Sequence, residues 1–320
     1  MSFDAILIGR NEAARLPAAI GALAGQARRV VYVDSGSTDD SVARAQAAGA
    51  QVIRLDPARP FTAARGRNEG FAALGADPAP FVLFMDGDAI IKPDWPGVAL
   101  DFLGKNPEAA LVHGQTLEEA PKASIYNWLT DLEWRSPVSD AASGVGRFVI
   151  RAQVFAQSRG FRDDMIAAED DELFLRIRAL GWQTWALEAP MCTHDINMHR
   201  FGPWYRRAIR AGHSFEELAF LHPGSARAQR RRALFWAAAL PVLALVLAFI
   251  WPPLVLGVLA LYAAAIARLS LRYRAMGLRW TWAVKAAGLM MVSKFANLYG
   301  MATFWARRLR RKRAQIIEYK

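Results

Sequence analysis

The chain has 320 residues, of which 53% are hydrophobic and 22% charged, with a formal net charge of +11 and one cysteine. That length supports one large domain with an appendage and ample core, and the single Cys192 excludes an intramolecular disulfide, which agrees with a reducing compartment. Residues 1–199 hold 19 Lys+Arg against 26 Asp+Glu, whereas residues 200–320 hold 21 against 3, and these basic residues bracket an apolar block. Such a pattern points to membrane lipid as partner and away from nucleic acid.

Met1-Ser2-Phe3-Asp4 has neither a basic run nor a long apolar run, so no signal peptide is expected and the first 230 residues are expected in the cytosol. Short apolar runs read as strands at Ala5–Ile8, Val30–Val33, Gln51–Leu55, Phe81–Met85 and Ala110–Val112, with a further one at Thr184–Leu187. Glu12–Ala27, Asp40–Ala48, Ala63–Leu74 and Trp95–Leu103 read as helices between them. Alternation of this kind predicts an α/β domain with a mostly parallel sheet and helices on both faces, whose ligands bind beyond the carboxyl ends of the strands. Polar loops fall there: Gly9-Arg10-Asn11-Glu12, Asp34 through Asp40, and Asp86-Gly87-Asp88. Neither a Gly-x-Gly-x-x-Gly after the first strand nor a Walker A loop is present, which removes the usual dinucleotide and P-loop readings.

Asp86 and Asp88, two apart in extended chain, project from one side and offer hard oxygen ligands suited to Mg²⁺ or Mn²⁺. The other reading is a hairpin turn, for which Asp-Gly is a common dipeptide. Glu169, Asp170, Asp171 and Glu172 form a second acid cluster at a helix start, more than the helix dipole needs. Leu173, Ile177 and Leu180 are expected to bury one face of that helix, leaving Asp170 to face a cleft.

Phe201, Trp204 and Tyr205 recur at helical spacing beside Arg200, Arg206, Arg207 and Arg210, describing either a helix in the membrane interface or a core-packed helix with a solvated basic face. No charged residue occurs from Ala233 to Ala267. Pro252-Pro253 must break that run, so a hairpin is predicted, Ala233–Trp251 going in and a short arm, Leu254–Ala267, coming back. Arginines on both flanks place both ends in the cytoplasm. A third apolar segment, Ala283–Ala306, carries Lys285 and Lys294 and is expected to be interfacial or bundle-packed, followed by the basic run from Arg307 to Arg313. The predicted organisation is thus a catalytic domain at 1–199, amphipathic linker helices at 200–232, a membrane-spanning or re-entrant hairpin at 233–267, and a basic membrane-associated helical region at 268–320.

Four blocks, "ILIGRNEAARL", "VVYVDSGSTDDSV", "FTAARGRNEGF", and "VLFMDGDA" followed by "GVGRFVIRAQVFAQSRGFRDDMIAAEDDELFLRIRALGW", resemble family 2 glycosyltransferases of the GT-A fold over nearly all of the first 200 residues. The resemblance implies an inverting transferase of hexosyl type. It would move a sugar from a nucleotide-diphospho-sugar, a UDP-sugar first, to a hydroxyl of a lipid-linked or saccharide acceptor in cell-surface polysaccharide synthesis at the bacterial inner membrane. It implies that Asp34 contacts base or ribose with Glu12 and Arg67 nearby, that Asp86 and Asp88 hold the diphosphate through Mg²⁺ or Mn²⁺, and that Asp170 is the general base. A carboxylate there activates a poorly nucleophilic hydroxyl. Asp39 is expected to tie its own loop. His194 reads either as a further metal or diphosphate ligand or as a structural histidine, and Trp204, Arg206 and Arg207 as an acceptor and membrane interface.

The chain departs from the family pattern in lacking the proline of the first turn and in having Phe201-Gly202-Pro203-Trp204-Tyr205-Arg206-Arg207 where processive members carry Gln-x-x-Arg-Trp. Two other readings are a sugar-phosphate nucleotidyltransferase, which would open with a glycine-rich loop, and a non-catalytic membrane adaptor that keeps the fold for binding.

Overall fold

A computed structural model describes residues 1–135, 137–141, 143–144 and 146–310, and it divides into two compact units. The first comprises Met1–Pro121 and Thr130–Asn197, the second Lys122–Leu129 and the chain from Met198. The basic run beyond Arg310 lies outside the described residues.

In the first unit, β1 (Phe3–Gly9), α1 (Leu16–Gly21), β2 (Val30–Asp34), α2 (Ser41–Ala47), β3 (Gln51–Arg54), α3 (Ala63–Ala72) and β4 (Phe81–Asp86) alternate as the apolar runs predict. There follow β5 (Ala89–Ile91), α4 (Trp95–Lys105), β6 (Ala109–Glu118), α5 (Ile125–Trp134, whose part through Leu129 belongs to the second unit), β7 (Phe148–Arg151), α6 (Ala152–Gln157), α7 (Glu169–Ala179) and β8 (Gln183–His194). One sheet holds all eight strands in the order β3-β2-β1-β4-β7-β6-β8-β5. The first four strands in that order pair in parallel, but β7 runs antiparallel to both β4 and β6, and β5 antiparallel to β8, so the sheet is mixed.

Both faces are covered, and strand alternation explains how. Phe3, Ala5 and Leu7 of β1 pack with Leu16, Ile20, Trp95 and Leu103 on one side. Ile6 and Ile8 pack with Ala64, Phe155, Leu173, Phe174 and Ile177 on the other. Each fully buried Leu, Ile or Phe contributes roughly 1.5–3 kcal/mol. Leu180 is the exception to the predicted stripe: it follows the last turn of α7 and is exposed. Helix α1 is also shorter than Glu12–Ala27, because residues from Asn11 to Ala13 turn to bond the loop after β2.

At the opposite end of the sheet the fully buried Asp4 is bonded by Arg28, Arg29 and the Ala79 amide. Burial raises its proton affinity, yet these bonds outweigh it and hold the carboxyl down at about 2.

The second unit is helical: α8 (Phe201–Leu221), α9 (Arg227–Leu234), a π-helical turn at Phe235–Ala239, α10 (Leu240–Ile250), a 3₁₀ turn at Pro252–Leu254, α11 (Val255–Ala275) and α12 (Trp280–Leu309). The hairpin breaks where expected, at the extended Trp251 before Pro252-Pro253. Its returning arm is longer than predicted. Arg227–Ile250 and Pro252–Ala275 are 24 residues each, both long and apolar enough to cross a membrane, with little of either buried. The arms touch through the Tyr262 hydroxyl, which donates to the Trp236 carbonyl. Helix α8 is bundle-packed against α12: Trp204 is buried, and a Cβ on Gly212 or Gly300 would meet the facing backbone at about 2 Å (2.1 and 2.0 Å).

Candidate active site

The site residues stand at the carboxyl ends of β1, β2, β4 and β8, and at the start of α7. After β1 the chain turns through Asn11 in the left-handed region, φ 59°, which asparagine tolerates. The Asn11 amide donates to Ser37 and its side chain accepts from the Thr38 amide, both at 2.8 Å, while the Glu12 amide donates to Ser41 Oγ. Asp39 accepts from the Ala13 amide and from Ser41, so it ties its own loop as expected. The buried Asp34 accepts from the amides of Gly36 and Ser37 and from the Tyr32 hydroxyl. Glu12 lies beside them: a Cβ on Gly9 would meet its Cγ at 3.1 Å and the Tyr32 hydroxyl at 3.2 Å. Thus Glu12 and Asp34 stand close together beyond the ends of β1 and β2.

Arg67 belongs to another group. It is no surface cation, being buried on α3 with Nη1 2.6 Å from Glu169 and Nη2 3.2 Å from Asp86. Arg147, at the approach to β7, is equally buried and places Nη1 2.6 Å from the other Asp86 oxygen. Both Asp86 oxygens are therefore held by guanidinium groups. Asp-Gly is not a hairpin turn here, since β5 leaves for the far edge of the sheet and pairs with β8.

That excursion gives Asp88 its partner. Ala89 is in register with His194, which brings His194 Nε2 to 3.0 Å from the Asp88 carboxylate, both side chains being buried. Trp134 stacks on the imidazole at 4.9 Å between centroids, and Arg147 lies over the Trp134 ring while contacting His194 Nδ1 at 3.2 Å. His194 Nε2 makes no hydrogen bond. A buried nitrogen without such a bond, 3.0 Å from a carboxylate oxygen, matches neighbouring ligands of one divalent cation, whose ligand distances near 2.1 Å at right angles give about that separation. Among the described residues no group of three or more His, Cys, Asp or Glu side chains is gathered for a metal ion.

Helix α7 starts at Ala168, held at φ 58° and ψ 30°, a strained conformation for alanine that begins the acidic turn abruptly. Burial first, then the charge of Glu169, pushes the Asp170 carboxyl up to about 6, against the pull of Arg67. Burial and Asp170 push Asp171 up as well, although the Gly144 amide donates to it at 2.8 Å. Gly144 can be only glycine: a Cβ there would lie 2.5 Å from the Asp171 amide nitrogen and 2.6 Å from Asp170 Cγ. Gly146, at φ 72°, similarly lets Arg67 pass.

The structure therefore brings Glu12 to Asp34, Arg67 to Asp86, Glu169 and Asp170, and Asp88 to His194. Trp204, Arg206 and Arg207 belong to α8 of the second unit. Sequence reasoning missed Arg147, Trp134, Glu169 as the partner of Arg67, and the role of Gly144. The only local signal was the Gly-x-Gly-Arg run before β7.

Residues 4–139 match the family model described as Glycosyl transferase family 2. No curated protein matches the chain. Among solved structures, the chain is similar to the mannosyltransferase PcManGT from Pyrobaculum calidifontis in complex with GDP-Man and Mn²⁺, with TM-score 0.60 and 16% identity over 93% of this chain and 86% of that one. It is also similar to residues 1–349 of S. aureus TarS, with TM-score 0.50 and 14% identity over 97% of this chain and 92% of the other. At these identities the likeness shows the fold.

Proposed function

We propose, from the premise that residues 4–139 make this chain a glycosyltransferase of family 2 on a GT-A sheet, that it moves a sugar with inversion from a nucleotide-diphospho-sugar to a hydroxyl of a membrane-borne, lipid-linked or saccharide acceptor. The observation that carries this reading is the division of its carboxylates. Asp88 faces His194, Asp86 is neutralised by two arginines, and Asp170 has its proton affinity raised toward neutrality.

The loop holding Glu12 and Asp34 binds base or ribose. Asp88 and His194 are the residues that would hold Mg²⁺ or Mn²⁺, with diphosphate and water completing the shell, as PcManGT was solved with GDP-Man and Mn²⁺. When bound, that cation neutralises charge on the departing nucleoside diphosphate. Arg67 and Arg147 fix Asp86 and keep the floor of the site rigid, while Trp134 covers His194 and excludes water. Asp170 takes the proton from the acceptor hydroxyl at its carboxylate oxygen, and a base with a value near the working pH is the efficient kind. Attack from the side opposite the leaving group inverts the anomeric centre.

The apolar arms from Arg227 to Ala275 support membrane attachment, and their arginine flanks support a cytoplasmic catalytic unit. A uridine diphosphate sugar is the first donor to test. The test is a panel of nucleotide-sugars assayed for nucleoside diphosphate release, with and without Mn²⁺ and membrane lipid extract. Release should require one donor, the metal and the extract, and chelation or Asp88→Ala should abolish it. Release indifferent to chelator would remove the metal from the reading, and no release with any donor would remove the transfer itself.

A further inference from the structure

Helix α12 has two faces, and among the described residues only one packs on other helices. Ala283, Ala287, Ala296, Gly300 and Phe304 are buried toward the other helices of its unit. The other face carries Val284, Val292, Phe295, Tyr299 and Leu309, between 37% and 81% exposed. At 1.5 Å per residue this apolar stripe runs roughly 37 Å. A stripe of that length, with the exposed rings of Phe295 and Tyr299 in it, needs an apolar neighbour.

The partner on the buried side limits what that neighbour can be. Helix α8 runs alongside the second half of α12. Gly212 meets Asn297 backbone, Gly300 meets Ile209 backbone, His213 packs on Phe304, and Phe220 lies against Phe304 and Trp305. The same α8 carries Arg206, Arg207, Arg210, Glu216 and Glu217. Charged side chains are expelled from a hydrocarbon core, so a helix locked to α8 cannot be surrounded by lipid chains. Charge then selects the lipid. Residues 198–310 hold 17 Lys and Arg against Glu216 and Glu217 alone, and Arg279, Arg307, Arg308 and Arg310 stand at the two ends of α12.

We propose that α12 lies in the plane of an anionic phospholipid bilayer, its outward stripe seated at the boundary between headgroups and acyl chains, with α8 on its aqueous side and its terminal arginines on lipid phosphates. This rests on the membrane reading above and adds an orientation that two spanning arms alone do not require.

The experiment uses the full chain with cysteines placed along the stripe, Val284→Cys, Val292→Cys and Tyr299→Cys, each carrying a bimane fluorophore, Cys192 being buried. The chain is reconstituted in vesicles of phosphatidylcholine with about one third phosphatidylglycerol, containing lipids brominated at shallow or deep positions. All three labels should be quenched at one shallow depth, several-fold more by the shallow bromines, and less in vesicles without phosphatidylglycerol. A depth that increases along the helix, no quenching in vesicles the protein floats with, or indifference to phosphatidylglycerol would overturn the proposal. Failure of the full chain to float with vesicles would instead remove the membrane reading itself.

Discussion

The Arg67 guanidinium stands 2.6 Å from Glu169 and 3.2 Å from Asp86, joining the end of the central strand β4 to the helical turn that carries Asp170. One buried cation therefore couples Asp86 to the turn of the proposed base, where burial and Glu169 raise the Asp170 carboxyl and Arg67 opposes them.

Glu169→Gln removes the negative charge beside Asp170 and leaves Arg67, so the Asp170 carboxyl should titrate lower. Arg67→Gln should make it titrate higher. Because the base acts deprotonated, transfer falls as pH drops through its value, which lies near 6 in the native chain. The acid limb of the rate profile should thus move down in the first variant and up in the second. Shifts in the same direction would disconnect Asp170 from this pair.

Asp170 and Asp171 bind protons more tightly in the folded chain than in the unfolded one. By linkage they favour the fold at acid pH, and that contribution is lost as pH rises through their folded values. Asp171→Asn keeps an oxygen for the Gly144 amide and removes a buried charge, so it should stabilise at pH 8, by on the order of 1–2 kcal/mol after discounting coupling and partial exposure. The gain should be smaller at pH 5 and vanish only below the ordinary carboxylate value of 3.8, as read by thermal unfolding across that range.

Gly144→Ala drives a methyl into the Asp170–Asp171 backbone, where no flexible side chain can yield. Helix α7 must move, so transfer should fall at least tenfold while donor affinity, which the proposal assigns to Glu12 and Asp34, changes little. Equal losses in affinity and turnover would place Gly144 outside the catalytic turn.

Gly300→Ala places a methyl 2.0 Å from the Ile209 carbonyl oxygen. Separating α8 from α12 should cost roughly 1–3 kcal/mol, the usual penalty of overpacking. Unfolding in detergent should occur several degrees lower, whereas Gly288→Ala, inside the same helix with open space around it, should leave the midpoint unchanged or raise it.

The parallel half of the fold was legible because buried strands such as Phe81–Asp86 are unbroken apolar runs closed by polar loops. Strands β5 and β7 were not: three and four residues long, they owe their pairing to His194 and to β4 and β6 rather than to local pattern. The same holds within the site. The proposed roles of Asp170 and Asp88 start from local pattern, an acid run that exceeds helix capping and a strand-end position. Arg147 and Trp134 were not, because their partners, Asp86 and His194, lie about 60 residues away in sequence (|i−j| 61 for Arg147 to Asp86; Trp134 pairs from residue 134 to 194). The tie between Arg67 and Glu169 spans 102 positions, which no local motif reports.

The central claim is that the proton is taken at Asp170 while the donor is held elsewhere. Asp170→Asn removes the base and keeps the shape of the turn, so titration calorimetry with nucleotide-sugar and Mn²⁺ should give donor affinity within about threefold of the native chain, with transfer lowered by roughly 10²–10⁴-fold. Native turnover in Asp170→Asn, or loss of donor binding that accounts for the loss of transfer, would contradict it.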